Sequence, residues 1–129
     1  IGRGIKKLVG LVKKYDYINL KRKAVDGSRL YETTSGNLPS VTTILGTSKN
    51  KDGIQKWIQK VGQEEADRVK IEASTIGTYM HEYLEGYLTG EGYENQTEYG
   101  QKAKTMAQQI QEQGLCNVDE VWGCEVGLF

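Results

Sequence analysis

The chain has 129 residues, of which 37% are hydrophobic and 26% are charged, and its formal net charge is zero. That length fits one domain, and no run approaches the roughly 20 apolar residues of a membrane span, so we predict none. The single proline excludes a collagen, and eight tyrosines argue against bulk disorder. The zero charge hides an asymmetry, because residues 1–30 hold nine bases and two acids. This basic segment either contacts a polyanion or is a solvated arm that keeps the protein soluble.

The first third of the chain predicts a helix and then a hairpin. Residues 1–14 have apolar residues near helical spacing, although three glycines weaken that helix. Two β-prone runs, 15–25 and 29–34, flank Asp26-Gly27-Ser28. Because Asp-Gly between such runs is a strong turn signal, we predict a β-hairpin with its basic residues on one face. The following Ser35-Gly36-Asn37 is predicted to be a loop.

The middle of the chain predicts helices. Pro39, Ser40 and an apolar run fit the first turn of a helix. Further helices are predicted over 53–61, 63–74, 75–88 and 99–113, the last ending at Gly114. The predicted inward positions on the last two helices are Ile76, Met80, Leu84, Tyr87, Leu88, Ala103, Met106, Ala107 and Ile110.

The end of the chain predicts β structure, which makes the fold class α+β. Residues 118–129 alternate towards a strand. Cys116 and Cys124 are too few for a disulfide framework and lack the paired spacing of a zinc site. We therefore predict two reduced, buried thiols in an intracellular, cytoplasmic protein.

His81 is the single histidine and the strongest candidate for chemistry. Gly77, His81 and Glu85 recur at one-turn spacing on one helical face. An imidazole and a carboxylate so placed can share a divalent metal. Alternatively, Glu85 only orients His81, or the pair is part of a helix interface. The zinc-protease motif H-E-x-x-H is rejected because its second histidine is missing. The aromatic residues of the chain are either core residues or platforms on which bases stack.

Three segments in order carry a resemblance to a known family. They are Leu38-Pro39-Ser40-Val41-Thr42-Thr43-Ile44-Leu45, then Trp57, then Ile76-Gly77-Thr78-Tyr79-Met80-His81-Glu82-Tyr83-Leu84-Glu85. Over residues 38–129 the chain resembles the front half of RecB-like nucleases of the PD-(D/E)XK superfamily, which include phage and mitochondrial exonucleases. The resemblance implies a restriction-endonuclease-like α/β core that the last strand enters. It divides the chain into a basic arm and hairpin, 1–37, and an incomplete nuclease domain, 38–129.

The resemblance also implies roles for individual residues. His81 corresponds to the family histidine at the Mg²⁺ or Mn²⁺ site, Glu85 to the helix glutamate that supports it, and Glu125 to the acidic residue of the first core strand. Ser40 and Thr42 correspond to a segment beside the DNA path, where hydroxyls and a helix N-terminus contact phosphates. The charge asymmetry adds Lys21, Arg22 and Lys23 as residues that track the DNA backbone.

The chain departs from the family in one respect. The family's next Asp and its [DE]-x-K motif do not occur in these 129 residues. We expect the rest of the nuclease core beyond Phe129 and no catalysis by these residues alone. The prediction is the N-terminal portion of a metal-dependent DNA exonuclease acting on DNA that is single-stranded or has free ends, in the cytoplasm, a phage-infected host or a mitochondrion. The alternatives are a non-catalytic nucleic-acid-binding module that uses the basic arm, and an interaction domain whose terminal strand pairs with a partner.

Overall fold

The computed structural model describes residues 10–48 and 50–129. The strands in this part of the chain are β1 (Lys21–Val25), β2 (Ser28–Thr33) and β3 (Gly36–Pro39). The helices are α1 (Val41–Ser48), α2 (Asp52–Val61), α3 (Gln63–Thr89) and α4 (Glu98–Gln113), followed by a short 3₁₀ turn, Leu115–Asn117. The predicted mixed α+β class is confirmed.

The chain divides into two compact units. The helical unit comprises the described residues up to 16 together with 63–125, and so holds α3 and α4. The sheet unit comprises residues 17–62 and 126–129, and so holds the three strands, α1 and α2.

The predicted hairpin is confirmed, and its turn explains its register. Asp26 and Gly27 both have positive φ, 51° and 77°, as a two-residue hairpin turn of type I′ requires. β1 pairs antiparallel with β2, and Arg22 lies opposite Tyr31. Because side chains alternate along a strand, Lys21 and Lys23 share one face and Arg22 lies on the other. The prediction of one basic face was therefore wrong.

A third strand replaces most of the predicted loop at residues 35–37, since Ser35 lies in a turn but Gly36 and Asn37 belong to β3. β3 pairs antiparallel with β2, with Leu38 opposite Tyr31 and Gly36 opposite Thr33. Thr33 donates from Oγ1 to the Gly36 carbonyl at 2.7 Å, and Gly36 has a φ of 101°. A tight turn that uses a positive-φ glycine thus returns the chain antiparallel.

Ser40 caps the N-terminus of α1, whereas Pro39 lies outside the helix. Pro39 is the last residue of β3, and the first α1 hydrogen bond runs from Ile44 N to the Ser40 carbonyl at 3.1 Å. Ser40 Oγ accepts from Thr43 N at 3.1 Å, which is the hydrogen bond of an N-cap. The helix predicted from this segment forms, but its proline belongs to the preceding strand.

The two helices predicted over 63–74 and 75–88 are one continuous helix, α3, of 27 residues. Thr75 and Thr78 donate from their hydroxyls to the carbonyls of Ile71 and Ser74 at 2.8 and 2.9 Å. The hydroxyls therefore bond within the helix rather than interrupting it. No proline occurs in this stretch to end it, and Gly90, with a φ of 79°, follows its last residue.

The core of the helical unit lies where α3 packs on α4. Tyr83, Ala103 and Ala107 are buried there, with Ile76, Met80 and Leu84 partly buried against them. Tyr83 was not among the predicted inward residues, yet its hydroxyl donates to the Asn95 carbonyl and accepts from Asn95 N at 3.1 and 2.9 Å. Met106 and Ile110, both predicted inward, are instead exposed. At this contact the small alanine side chains of α4 face larger α3 side chains, and Met106 and Ile110 lie outside it.

The strand predicted over 118–129 does not form. Val121 makes an isolated parallel bridge with Leu11, and Val12 N donates to the Val121 carbonyl at 2.8 Å. Glu125 has a φ of 55°, which is left-handed backbone and ends any extended run. The prediction of a strand over these residues was therefore wrong, whereas the nuclease core and the pairing with a partner stay predictions.

Residues 1–9 of the helix predicted over 1–14 lie outside the described residues. Residues 10–14 are not helical, since Leu11 pairs with Val121 instead. Of the cysteines predicted to be buried, Cys116 is exposed and Cys124 is half-buried, and both are free thiols. In the described ranges no helix combines the length and apolarity needed to cross a membrane.

Candidate functional site

A shallow cleft of about 450 Å³ on the helical unit collects the residues that the sequence singled out. His81, Glu85 and Glu125 all line it. Its other lining residues are Gly77, Thr78 and Glu82. His81 and Glu85 are exposed, as is Glu125, so each can meet a ligand from solvent. The structure therefore brings together the three residues predicted for metal binding and catalysis.

Helix α3 and the C-terminal segment build this cleft. Gly77, His81 and Glu85 recur at one-turn intervals on α3, so their positions follow from helical geometry alone. A Cβ added at Gly77 would meet nothing within 4 Å, so the cleft is open above this residue. Glu125 lies four residues after the buried Val121, and the bridge from Val121 to Leu11 anchors this segment.

The cleft is acidic. Three carboxylates and one imidazole line it, and none of its described lining residues is Lys or Arg. The pKa of Cys124, the chain neighbour of Glu125, is raised by burial and then by the negative charges of Glu85 and Glu125. A cleft of this charge attracts a cation, and it repels a phosphodiester unless a cation is bound there.

Glu82 and Thr78 were missed by the sequence analysis. Thr78 bonds to the helix backbone through its hydroxyl, whereas Glu82 interacts with Tyr93. The hydrogen bond with Glu82 is the main reason why the pKa of Tyr93 is raised, against the opposing effect of Asn95. Glu82 lies next to His81 in the chain and one turn after Thr78, so helical spacing was the available signal.

The side chains of the cleft are of types that bind divalent cations, but too few of them lie together to hold a metal ion. Imidazole and carboxylate groups are ligands of Mn²⁺, and carboxylates are ligands of Mg²⁺. Over residues 10–48 and 50–129, however, no group of three or more His, Cys, Asp or Glu side chains is placed to hold a metal ion. Within the described residues the cleft therefore holds an incomplete set of metal ligands.

The predicted DNA contacts belong to the sheet unit. Lys21, Arg22 and Lys23 are exposed along β1. Thr42 is exposed, whereas Ser40 is half-buried, and its Oγ lies 3.1 Å from Thr42 Oγ1 and 2.8 Å from Thr43 Oγ1. Ser40 thus has a structural role as a helix cap, whether or not DNA contacts it.

No family model, curated protein or solved structure matches the chain. The resemblance to RecB-like nucleases stays a prediction from the three quoted segments. A functional proposal depends on that prediction and on the residues of the cleft.

Proposed function

We propose that this chain is the N-terminal portion of a divalent-metal-dependent DNA exonuclease of the RecB-like type. The observation that carries the proposal is the shared cleft of His81, Glu85 and Glu125. These residues are separated by up to 44 positions in sequence. They are also the residues to which the family resemblance assigns metal binding and catalysis.

The proposed roles follow from the chemistry of each side chain. His81 and Glu85 supply a nitrogen and an oxygen donor on adjoining turns, and Glu125 adds a carboxylate from another segment. The remaining groups of the reaction, the family's Asp and [DE]-x-K motif, belong to the nuclease core proposed beyond Phe129. The substrate is DNA that is single-stranded or has free ends, which places the enzyme inside the cell.

The test is the degradation of end-labelled DNA by the complete polypeptide that contains these residues, with Mg²⁺ or Mn²⁺ supplied. His81→Ala should lower the rate by at least about 100-fold, since loss of an outer partner of a metal ligand already costs about 10- to 100-fold. Glu112→Ala, at an exposed position of α4, is the matched control and should leave the rate unchanged. Full activity of the His81→Ala protein would remove His81 from the active site.

A non-catalytic nucleic-acid-binding module is the second candidate, favoured by the exposure of every residue of β1. Lys21, Arg22 and Lys23 would then bind phosphates without a metal. Affinity for DNA in EDTA should fall steeply between low and moderate salt, because binding releases counterions from the DNA and added salt opposes that release. Binding that does not respond to salt, or that needs Mg²⁺, would contradict this candidate.

A further inference from the structure

Trp122 lies on the surface of the helical unit and is held there by three contacts. Its Nε1 donates to Glu120 Oε2 at 2.9 Å. The Tyr15 ring meets it in an edge arrangement, with centroids 5.8 Å apart and planes at 73°. Lys14 Nζ lies 3.8 Å from the centroid of the indole ring. The indole therefore has a defined orientation although it is 41% exposed.

The backbone beneath Trp122 is also anchored. Val121, its chain neighbour, is buried and bridges to Leu11, and Val12 N donates to the Val121 carbonyl at 2.8 Å. This bridge joins the segment that carries Lys14 and Tyr15 to the segment that carries Trp122. A surface aromatic pair held by two joined segments loses little conformational entropy on binding a ligand.

The chemistry of the cluster selects a planar ligand with a negative charge nearby. Flat aromatic groups stack on indole and phenol rings, and the Lys14 ammonium favours an adjacent anion. Lys13 is paired with Asp16 at 3.1 Å, and Glu120 holds the indole N–H, so the cation directly over the ring is Lys14. A nucleobase with its own phosphate combines the two required features.

We propose that Trp122, with Tyr15 and Lys14, is a stacking platform for an unpaired base of single-stranded DNA. The base takes the indole surface, and the Lys14 ammonium moves from the ring to the adjoining phosphate. An exposed cation–π contact is weaker than base stacking, so this exchange favours the bound state. The choice of DNA rests on the proposed function, but the platform lies on residues outside the acidic cleft and requires no metal.

The first experiment measures the binding of a fluorophore-labelled oligo(dT) by anisotropy, in EDTA at fixed salt. Trp122→Ala should weaken binding by about tenfold, within the range that removal of one aromatic stacking partner produces. Trp57→Ala, on α2 of the sheet unit, is the matched control and should bind like the unchanged chain. Equal affinities of the Trp122→Ala and unchanged chains would overturn the platform.

An abasic oligonucleotide separates stacking from phosphate binding. The unchanged chain should bind the abasic strand about tenfold more weakly than oligo(dT), whereas Trp122→Ala should bind the two strands alike. Lys14→Gln should weaken the binding of both oligonucleotides and reduce the salt dependence of that binding. A Trp122→Ala chain that still prefers oligo(dT) to the same extent would show that the bases stack elsewhere.

A second measurement avoids any loss of folding in the alanine variant. The chain has two tryptophans, so Trp57→Phe leaves Trp122 as the sole indole emitter. Oligo(dT) should quench its fluorescence with the affinity found by anisotropy, and a blunt duplex should quench it far less. Unchanged emission at saturating oligo(dT) would overturn the proposal.

The platform and the nuclease fail separately. If Trp122→Ala does not weaken binding in EDTA but His81→Ala still lowers DNA degradation, only the platform is rejected. Quenching and stacking by a complete polypeptide that degrades no DNA would support the platform and reject the exonuclease.

Discussion

Cys124 reports on the charges of the acidic cleft from the position next to Glu125. Its pKa is raised first by burial and then by Glu85 and Glu125. A thiol reacts as its thiolate, so a raised pKa means that less of Cys124 is reactive near neutral pH and that its alkylation rate continues to rise at higher pH. The alkylation rate of Cys124 therefore tests whether the Glu125 carboxylate lies close to this thiol.

We predict that Glu125→Gln speeds alkylation of Cys124 by iodoacetamide roughly twofold near pH 8, because removal of a negative charge lowers the thiol pKa. The rate is measured by mass spectrometry in a Cys116→Ser background, so that one thiol reacts. Glu112→Gln on α4 is the control and should leave the rate unchanged. An equal alkylation rate with and without the Glu125→Gln substitution would mean that this carboxylate does not act on the thiol.

At the scale of elements, α3 carries two glycines with opposite surroundings. A Cβ at Gly86 would lie 2.6 Å from the carbonyl oxygen of Gly92, whose N–H donates to the Gly86 carbonyl at 2.9 Å. A Cβ at Gly77 would meet nothing within 4 Å. Gly86 is thus required by the close return of the chain after α3, whereas Gly77 opens onto the cleft and lowers helix stability.

We predict that Gly86→Ala destabilises the chain by about 1–3 kcal/mol, because backbone has to move away from the new methyl group. Gly77→Ala, the matched control on the same helix, should stabilise it by about 0.5–1 kcal/mol through helix propensity. Urea denaturation followed by circular dichroism measures both free energies of unfolding. Equal effects of the two substitutions would contradict the packing of Gly92 on α3.

Ser40 combines an observed role as the cap of α1 with a predicted contact to phosphate. Ser40→Ala should weaken α1 by about 0.5–2 kcal/mol, seen as faster amide hydrogen exchange in this helix. Ser40→Asp should retain protection, since aspartate also caps, yet weaken DNA binding by repelling phosphate. Undiminished DNA binding by the Ser40→Asp chain would leave Ser40 with the capping role alone.

At the scale of the whole molecule, burial is uneven between the two units. The buried hydrophobic side chains of the described residues are Ala66, Tyr83, Ala103, Ala107 and Val121. All five belong to the helical unit. In the sheet unit, α2 has no buried residue, and Ile54 and Trp57 are exposed although they share its apolar stripe. Local stability should therefore differ between the units.

We predict that native-state hydrogen exchange, followed by mass spectrometry, is slowest around Tyr83 in α3 and Ala103 in α4. The amides of β1 and α2 should exchange faster, because few buried apolar contacts oppose their local opening. Tyr83→Phe should speed exchange in the helical unit, since it removes the hydroxyl that bonds to Asn95. Equal protection of both units would contradict this distribution of stability.

Part of the candidate site could be predicted from spacing in the sequence, and part depends on tertiary contacts. The one-turn spacing of His81 and Glu85 predicted their common face, because helical geometry relates residues that are near in sequence. The place of Glu125 in the same cleft depends on the Val121–Leu11 bridge, a contact between segments about 110 residues apart. The expectation that Glu125 lies on a strand was wrong, since its φ of 55° is left-handed backbone.

The sequence by itself determined the hairpin turn at Asp26-Gly27, helix α2, and α4 with its stop at Gly114, because each depends on short-range backbone preferences and periodicity. Tertiary structure decided that Tyr83 is buried while Met106 is exposed, and that Val121 forms a bridge rather than a strand. Apolar spacing marks one side of a helix, but the neighbour that packs there selects which residues lose contact with water. A strand likewise forms only where a partner backbone accepts its hydrogen bonds, and that partner is a matter of the whole fold.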